Sequence, residues 1–215
     1  MSGHRPRWRL VTFDIDGTLT RGHGWRFLAE RVGRVPEYES TNREYFAGKR
    51  GEDEHLADLL RLADGLTIPQ LDEILAATPK IDGIAPAIST WHGEGTSVAL
   101  LTHNPWYVCE WYARTFGFDG FAGTPVPPAE NGRLRLHGGV HADKLLGLQE
   151  LVHRFGVVPA EVVHVGDGKA DARVFPHVGA GVALNADSDE VRRAATLALK
   201  MSSLRELPQA VDALP

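Results

Sequence analysis

The chain of 215 residues carries 23 basic and 28 acidic side chains, which gives it a formal net charge of -5 at pH 7. This charge provides no broad positive field to attract nucleic acid or anionic lipid, so we expect a small diffusible substrate instead. The length allows one folded core with a smaller insertion. Hydrophobic residues make up 43% and charged residues 24%, a composition that excludes a disordered chain.

Cys109 is the only cysteine in the sequence. A disulfide within the chain and a metal cluster of several cysteines are therefore excluded, and a reducing cytoplasm is the simplest location. No segment approaches ~18 uninterrupted apolar residues, and the N-terminus lacks the apolar region of a signal peptide. We expect a cytoplasmic protein that neither crosses a membrane nor binds nucleic acid; the oligomeric state stays open.

Short apolar segments typical of buried strands alternate along the chain with amphipathic segments typical of helices. The strand-like segments are residues 9–15, 97–102, 162–165 and 182–184. The helical patterns are residues 106–116, 144–155 and 188–195. This alternation predicts an α/β fold: a doubly wound parallel-sheet (Rossmann-like) core, with helices on both faces.

Residues 22–79 interrupt that alternation, because they contain helical patterns but no convincing strand. The patterns cover residues 25–31, 37–47, 52–63 and 69–77. Glycines and a proline stand where these helices would end. We predict a helical cap domain at 22–79, inserted after the first strand into a core of residues 1–21 and 80–215. Residues 132–136 suggest a small hairpin or an extended excursion on that core.

The strongest chemical signal is the heptapeptide at residues 14–20, Asp-Ile-Asp-Gly-Thr-Leu-Thr, directly after the first predicted strand. A loop at a strand end can bring Asp14 and Asp16 to one pocket, which suggests metal binding or acid–base chemistry. An isolated Asp-x-Asp is equally typical of a solvated or capping loop. The whole heptapeptide after a strand is far more specific.

The heptapeptide resembles the first motif of the haloacid dehalogenase superfamily, Asp-x-Asp-x-Thr after the first strand. The second motif, an apolar strand ending in Ser or Thr, is similar to residues 98–101 followed by Thr102. Lys144 can serve as the third motif, and residues 166–171, Gly-Asp-Gly-Lys-Ala-Asp, resemble the acidic fourth. The motifs occur in order and together cover residues 10–21 and 97–184.

The resemblance implies a phosphatase in which Asp14 is the nucleophile and forms an aspartyl-phosphate, while Asp16 is the acid–base group. It also implies Mg²⁺, because hard oxygen ligands suit this ion and a carboxylate must approach an anionic phosphate. The implied metal residues are Asp14, Asp16 through its carbonyl, Asp167 and Asp171. The implied phosphate-binding residues are Gly17, Thr102, His103, Asn104 and Lys144.

The helical insert between the first and second motifs resembles the cap of the phosphoserine phosphatase branch, but three positions depart from that branch. Ala170 stands where the branch usually has Asn, His23 where it has the Glu that meets the substrate amine, and Leu59 where it has the carboxylate-binding Arg. Arg61 or Arg26 could replace that Arg after a local shift. Without one, phosphoserine is not the expected substrate.

The cap offers other side chains for substrate binding, a mixture that favours a phosphate ester with an apolar or anionic body. These candidates are His23, Trp25, Arg26, Phe46, Lys49 and Arg50. The cap aromatics are equally typical of a packed interface between cap and core.

The sequence therefore predicts a Mg²⁺-dependent phosphatase acting on a small-molecule phosphate monoester. Three alternatives stay open: phosphoserine phosphatase proper, a phosphotransferase of the same fold, and a non-catalytic phospho-receiver module. The additional acid Asp16 and the cap favour hydrolysis over the receiver module. Dehalogenation is less favoured, because Asp16 and Asp167 together indicate metal-assisted phosphate chemistry.

Overall fold

The computed structural model describes residues 6–136 and 143–214, and within them six parallel strands form one sheet. The strands are β1 (Leu10–Phe13), β2 (Ser97–Pro105), β3 (Gly120–Thr124), β4 (Val162–Gly166), β5 (Ala180–Leu184) and β6 (Leu197–Leu199). Their order in the sheet is β3-β2-β1-β4-β5-β6. Strand order reverses beside β1, which is the switch point of a doubly wound sheet, so the predicted fold class is confirmed.

Helices precede, connect and flank these strands in the described part of the chain. They are α1 (Gly24–Val32), α2 (Val35–Phe46), α3 (Glu52–Leu62), α4 (Ile68–Ala77), α5 (Ile84–Glu94), α6 (Trp106–Phe116), α7 (Lys144–Phe155), α8 (Lys169–Val174), α9 (Asp189–Ala194) and α10 (Leu207–Asp212). None of the helices in the described ranges is long and apolar enough to cross a membrane.

The sheet is buried on both faces because successive strand residues point to opposite sides. On β2, Val98 and Leu100 pack in the large core cluster with Trp91 of α5. The alternate residues Ala99 and Leu101 belong to a second cluster with side chains of α7. Helices on both faces therefore hold the strand ends at fixed positions.

The predicted cap residues contain α1 to α4, whose bounds fall inside residues 22–79. Their buried faces join the core cluster directly, because Leu28 of α1 and Leu60 of α3 pack in the same cluster as Ile15 and Leu19. The helices are thus seated over the carboxyl end of β1. Whether residues 22–79 form a separate domain stays a prediction.

The segment 132–136, suggested as a hairpin or an extended excursion, overlaps a turn at residues 130–133. Glu130 and Arg133 exchange two backbone hydrogen bonds of 2.9 Å across Asn131 and Gly132, whose φ angles are 49° and 74°. Positive φ at both central residues is what a two-residue type I′ turn requires, and Asn-Gly supplies it at low cost. Arg133 also pairs with Thr67, which links this turn to the start of α4.

Candidate active site

The predicted motif residues come from three neighbouring strands, β2, β1 and β4, at one edge of the sheet. Asp14 follows β1, Thr102 lies in the last half of β2, and Asp167 follows β4. Ligands of doubly wound sheets bind in the crevice at this edge. The Asp14 backbone N–H donates to the carbonyl of Val165 at 2.9 Å, which continues the sheet pairing up to the first acid.

Lys144, the first residue of α7, lies between two carboxylates and is only 5% exposed. Its Nζ is 2.9 Å from Oδ2 of Asp14 and 2.5 Å from Oδ1 of Asp171. Burial opposes the charge on Lys144, but the Asp14 and Asp171 carboxylates outweigh it and raise its pKa above the ordinary value. Lys144 therefore holds a fixed positive charge beside Asp14.

Asp171 is fully buried, and both of its carboxylate oxygens are engaged. Oδ1 lies 2.9 Å from Nε2 of His164 in addition to Lys144, and Oδ2 accepts the backbone N–H groups of Asp167 and Gly168 at 3.1 and 2.9 Å. Burial works against the charged form, but Lys144 and His164 hold the pKa of Asp171 well below its usual range. Asp171 thus orients Lys144 and the loop after β4.

A chain of buried polar groups continues behind Asp171. A carboxylate only accepts hydrogen bonds, so we assign the proton of His164 to Nε2, and Nδ1 then accepts from the Thr12 hydroxyl at 2.9 Å. Gly166 makes room for this arrangement, because a Cβ there would lie 2.1 Å from Cγ of Asp171. Sequence reasoning missed His164, whose signal is a lone polar residue in an otherwise apolar strand.

Asp167 forms no ion pair with Lys144, unlike Asp14 and Asp171. Its Oδ1 accepts a 2.7 Å hydrogen bond from the Thr18 hydroxyl, yet burial and the nearby Asp14 carboxylate raise its pKa to about 8. Oxygens of Asp14, Asp167 and Asp171 lie within 4.8 Å of one another. This crowding of carboxylates fits a divalent cation with hard oxygen ligands. Gly17, at φ +80°, is required beside it, because a Cβ would lie 2.1 Å from Asp167 Oδ2.

Asp16 is oriented by one hydrogen bond to each oxygen. Oδ1 accepts from the backbone N–H of Gly24 at 2.7 Å, and Oδ2 accepts from the Asn104 side-chain amide at 2.9 Å. Burial raises the pKa of Asp16, while the Asn104 bond lowers it and the first effect is the larger. A carboxyl with a raised pKa beside a second acid is suited to proton transfer.

Asn104 also connects Asp16 to the second motif. Its backbone N–H and its side-chain amide both lie 3.2 Å from the Thr102 hydroxyl, which accepts from them. His103 lies beside them, with Nδ1 3.9 Å from Glu52 and, within residues 6–136 and 143–214, no hydrogen-bond partner for Nε2. The three residues therefore meet the acids at the same strand edge.

A cleft of about 500 Å³ lies over these groups, between the strand ends and α1 to α3. Three of the predicted substrate-binding residues, His23, Trp25 and Phe46, line this cleft, and so does Leu59. Residues that the sequence did not single out complete the helical wall: Tyr38, Asn42, Tyr45, Glu52, His55 and Leu56. The α2 residues Tyr38, Asn42 and Tyr45 are spaced i, i+4, i+7, so a helical projection of the sequence would have placed them on one face.

The cationic candidates of the cap are placed elsewhere. Arg50 forms ion pairs with Glu44 and Asp58, and Arg26 forms one with Glu30. Lys49 is exposed at the turn after α2. The described lining of the cleft does not include these three residues. Their part in substrate binding stays a prediction that the cleft does not support.

A doubly wound sheet with carboxylates at its switch point is a Rossmann-like fold with an acidic site. The chain belongs to the haloacid dehalogenase-like hydrolase family, whose model matches residues 8–179. The superfamily resemblance and the prediction of an enzyme are thereby confirmed.

Two proteins with similar sequences are phosphoserine phosphatases. A phosphoserine phosphatase of Archaeoglobus fulgidus is 29% identical over 182 residues, 83% of this chain and 53% of that protein. A phosphoserine phosphatase of Albidiferax ferrireducens is 27% identical over 213 residues, 93% of this chain and 88% of that protein. The chain thus spans about half the length of the first relative and most of the second.

Solved structures share the fold. A haloacid dehalogenase family hydrolase of Salmonella enterica serovar Typhi superposes with a TM-score of 0.79 at 17% identity, over 88% of this chain and 66% of that one. A substrate-bound phosphoserine phosphatase superposes with a TM-score of 0.78 at 20% identity, over 94% and 98% of the two chains. Both structures support the same arrangement of sheet and helices.

Proposed function

We propose that this chain is a Mg²⁺-dependent phosphatase that hydrolyses a small-molecule phosphate monoester through an aspartyl-phosphate on Asp14. One observation carries the proposal: the Asp14 carboxylate lies 2.9 Å from a buried, charged Lys144. Asp16 stands two residues further on, held by Gly24 and Asn104. A nucleophile beside a phosphate-binding cation, with a separate proton carrier, is the set that phosphoryl transfer needs.

In the first step a carboxylate oxygen of Asp14 attacks phosphorus, and the bond between phosphorus and the ester oxygen breaks. Asp16 gives its proton to that oxygen, so the alcohol leaves neutral. In the second step Asp16 takes a proton from water, whose oxygen attacks phosphorus and releases Asp14. The sum is ester plus water giving alcohol plus phosphate, with both acids restored.

Other residues hold the phosphate during both steps. Lys144 and the Thr102 hydroxyl provide donors, together with the backbone N–H of His103. The Gly17 backbone N–H donates to Thr20 Oγ1 at 3.0 Å and that of Asn104 to Thr102 Oγ1 at 3.2 Å, so both must leave these partners to bind the phosphate. Mg²⁺, held by Asp14, the Asp16 carbonyl and Asp167 with support from Asp171, would neutralise charge as the carboxylate nears the phosphate. The acidic cluster, in which burial and then the Asp14 carboxylate raise the pKa of Asp167, supports this ligand set.

The relatives named as phosphoserine phosphatases support phosphate ester chemistry. Phosphoserine itself is a weaker proposal for this chain, since His23 and Leu59 line the cleft where that branch has charged partners. A cytoplasmic location stays a proposal, supported by the presence of a single cysteine, Cys109, which is buried.

A colorimetric assay with para-nitrophenyl phosphate tests the proposal. We expect turnover with Mg²⁺, loss of activity in excess chelator, restoration by Mg²⁺ and inhibition by Ca²⁺, which prefers longer bonds and more ligands. Full activity in chelator would rule the mechanism out. A stable acyl-phosphate without turnover would indicate a receiver module, and phosphorylation of added alcohols in place of water would indicate a phosphotransferase.

A further inference from the structure

The wall of the cleft opposite the catalytic acids is formed by one face each of α2 and α3. On α2 the lining residues Tyr38, Asn42 and Tyr45 follow the i, i+4, i+7 spacing of a single helix face. On α3 the lining residues are Glu52, His55, Leu56 and Leu59. The leaving group of a bound ester would face these side chains, because the phosphate end is fixed by Asp14 and Lys144.

This wall offers a substrate little unpaired charge. Its one carboxylate on α2 and α3, Glu52, is paired with Arg173, whose Nη2 lies 2.8 Å from both of its oxygens. Burial lowers the pKa of His55, which favours the neutral imidazole. Lysine and arginine are absent from the described lining of α1 to α3, and the lysines that line the cleft, Lys144 and Lys169, lie on α7 and α8 at the strand ends and not in this wall. A substrate carboxylate or ammonium lying against this wall would lose water without gaining a charged partner.

The wall instead presents flat rings. The rings of Tyr45 and His55 stack with centroids 4.3 Å apart and an interplanar angle of 6°. Phe46 meets the Tyr45 ring edge-on at 5.4 Å and is 77% exposed at the mouth of the cleft. Trp25 lines the cleft from α1. A further ring could pack against this platform in the offset or edge-on geometries that aromatic pairs prefer.

We propose that the alcohol released by this enzyme is an uncharged, ring-bearing small molecule whose ring packs against Tyr45 and Phe46. The inference rests on the proposed phosphatase function and specifies the substrate class of that site. A volume of about 500 Å³ suits a small molecule, since ligand pockets commonly measure ~300–1,000 Å³. The zwitterionic body of phosphoserine does not fit this description.

A series of esters with the same CH₂–O–P linkage tests the charge and the ring separately. With Mg²⁺, kcat/KM for benzyl phosphate should exceed that for 4-carboxybenzyl phosphate and for L-phosphoserine by ~100-fold, the scale of leaving a charge unpaired. It should exceed that for cyclohexylmethyl phosphate by ~3- to 10-fold, the scale of one aromatic pair.

The outcomes separate this inference from the function on which it rests. If para-nitrophenyl phosphate is hydrolysed but kcat/KM for 4-carboxybenzyl phosphate or L-phosphoserine equals or exceeds that for benzyl phosphate, the proposed substrate class is wrong and the phosphatase function stands. Equal values for the benzyl and cyclohexylmethyl esters overturn the role of the ring platform. No turnover of any ester overturns the phosphatase and the inference together.

Two variants test whether the preference for an aromatic ring comes from the wall formed by α2 and α3. Tyr45→Leu keeps an apolar side chain but removes the ring, so the ratio of kcat/KM for benzyl over cyclohexylmethyl phosphate should fall towards one, mainly through KM. Phe46→Leu, at an exposed position, should lower the same ratio without risk to the fold. Phe27→Leu is the matched control, because Phe27 lies on α1 outside the described lining of the cleft. An unchanged ratio in both folded wall variants contradicts the proposal.

Discussion

At the scale of single residues, Lys144 depends on partners that lie outside the motif in which it occurs. A lysine only 5% exposed is costly unless paired, and here it is held by Asp14 on one side and Asp171 on the other. Asp171 in turn is held by His164 and two backbone N–H groups. Asp14, the proposed nucleophile, is therefore positioned by a chain of buried groups that begins at Thr12 on β1, the strand that Asp14 follows.

Replacing the proposed nucleophile should separate chemistry from folding. Asp14→Asn should lower kcat by at least ~10³-fold, since an amide cannot form the covalent intermediate. Folding should be retained, because the amide oxygen can still accept from one of the two donors that the carboxylate binds, the Ile15 backbone N–H at Oδ1 or Lys144 at Oδ2. Loss of the Asp14 charge also relieves its repulsion with Asp16 and Asp167. Turnover above a tenth of the wild-type value in a purified, folded variant would contradict the assignment. Asp189→Asn, at an exposed acid of α9, is the control and should keep full activity.

At the scale of elements, the patterns that predicted structure correctly were long and regular. The apolar periodicities at residues 106–116 and 144–155 give α6 and α7 with the same bounds, because each helix buries one face and ends at a glycine in the left-handed region. β3 and β6 were missed. β3 contains two glycines and β6 has only three residues, so neither shows the run of apolar or alternating residues that predicts a strand.

The helix α4 offers a test of local stabilisation in the insert. Thr67 Oγ1 accepts from the Gln70 backbone N–H at 3.3 Å, and the Gln70 side chain accepts from the Thr67 backbone N–H at 2.9 Å. Thr67→Ala should lower the free energy of unfolding by about 1 kcal/mol, the usual cost of losing an N-cap, as measured by urea denaturation. Thr67→Ser should restore most of it. No difference between the alanine variant and the wild type would show that the cap contributes nothing here.

At the scale of the whole molecule, the residues proposed to bind the phosphate meet in the structure as the sequence predicts, whereas those predicted to bind the rest of the substrate do so only in part. Strand ends on neighbouring parallel strands must meet, so residues such as Thr102 and Asp167 are placed by topology alone. The wall depends on how α2 and α3 rotate over the sheet. That rotation turned Tyr45 and His55 inward and left Arg50 with Glu44 and Asp58, an outcome of tertiary packing that residue types do not encode locally.

Repulsion between the crowded acids of the site should also lower the free energy of unfolding of the metal-free protein. Asp167 has a pKa of about 8 against an ordinary value of 3.8, so between these limits the folded state binds more protons than the unfolded state. Stability of the metal-free protein should therefore fall as pH rises from about 4 to about 8, by on the order of a few kcal/mol from this group. Bound Mg²⁺ should offset the loss.

Two isosteric variants test this pH dependence, and we expect them to change the free energy of unfolding in opposite directions. In chelator at pH 8, Asp167→Asn should be more stable than the wild type and its stability should vary less with pH, although it should be inactive. Asp171→Asn should be less stable above about pH 4, because the pKa of Asp171 is depressed and its charged form stabilises the fold through Lys144 and His164. Urea denaturation of the three proteins from pH 5 to 8, with chelator and with Mg²⁺, measures both effects. Loss of stability in Asp167→Asn in chelator at pH 8 would show that the carboxylate crowding is relieved without metal.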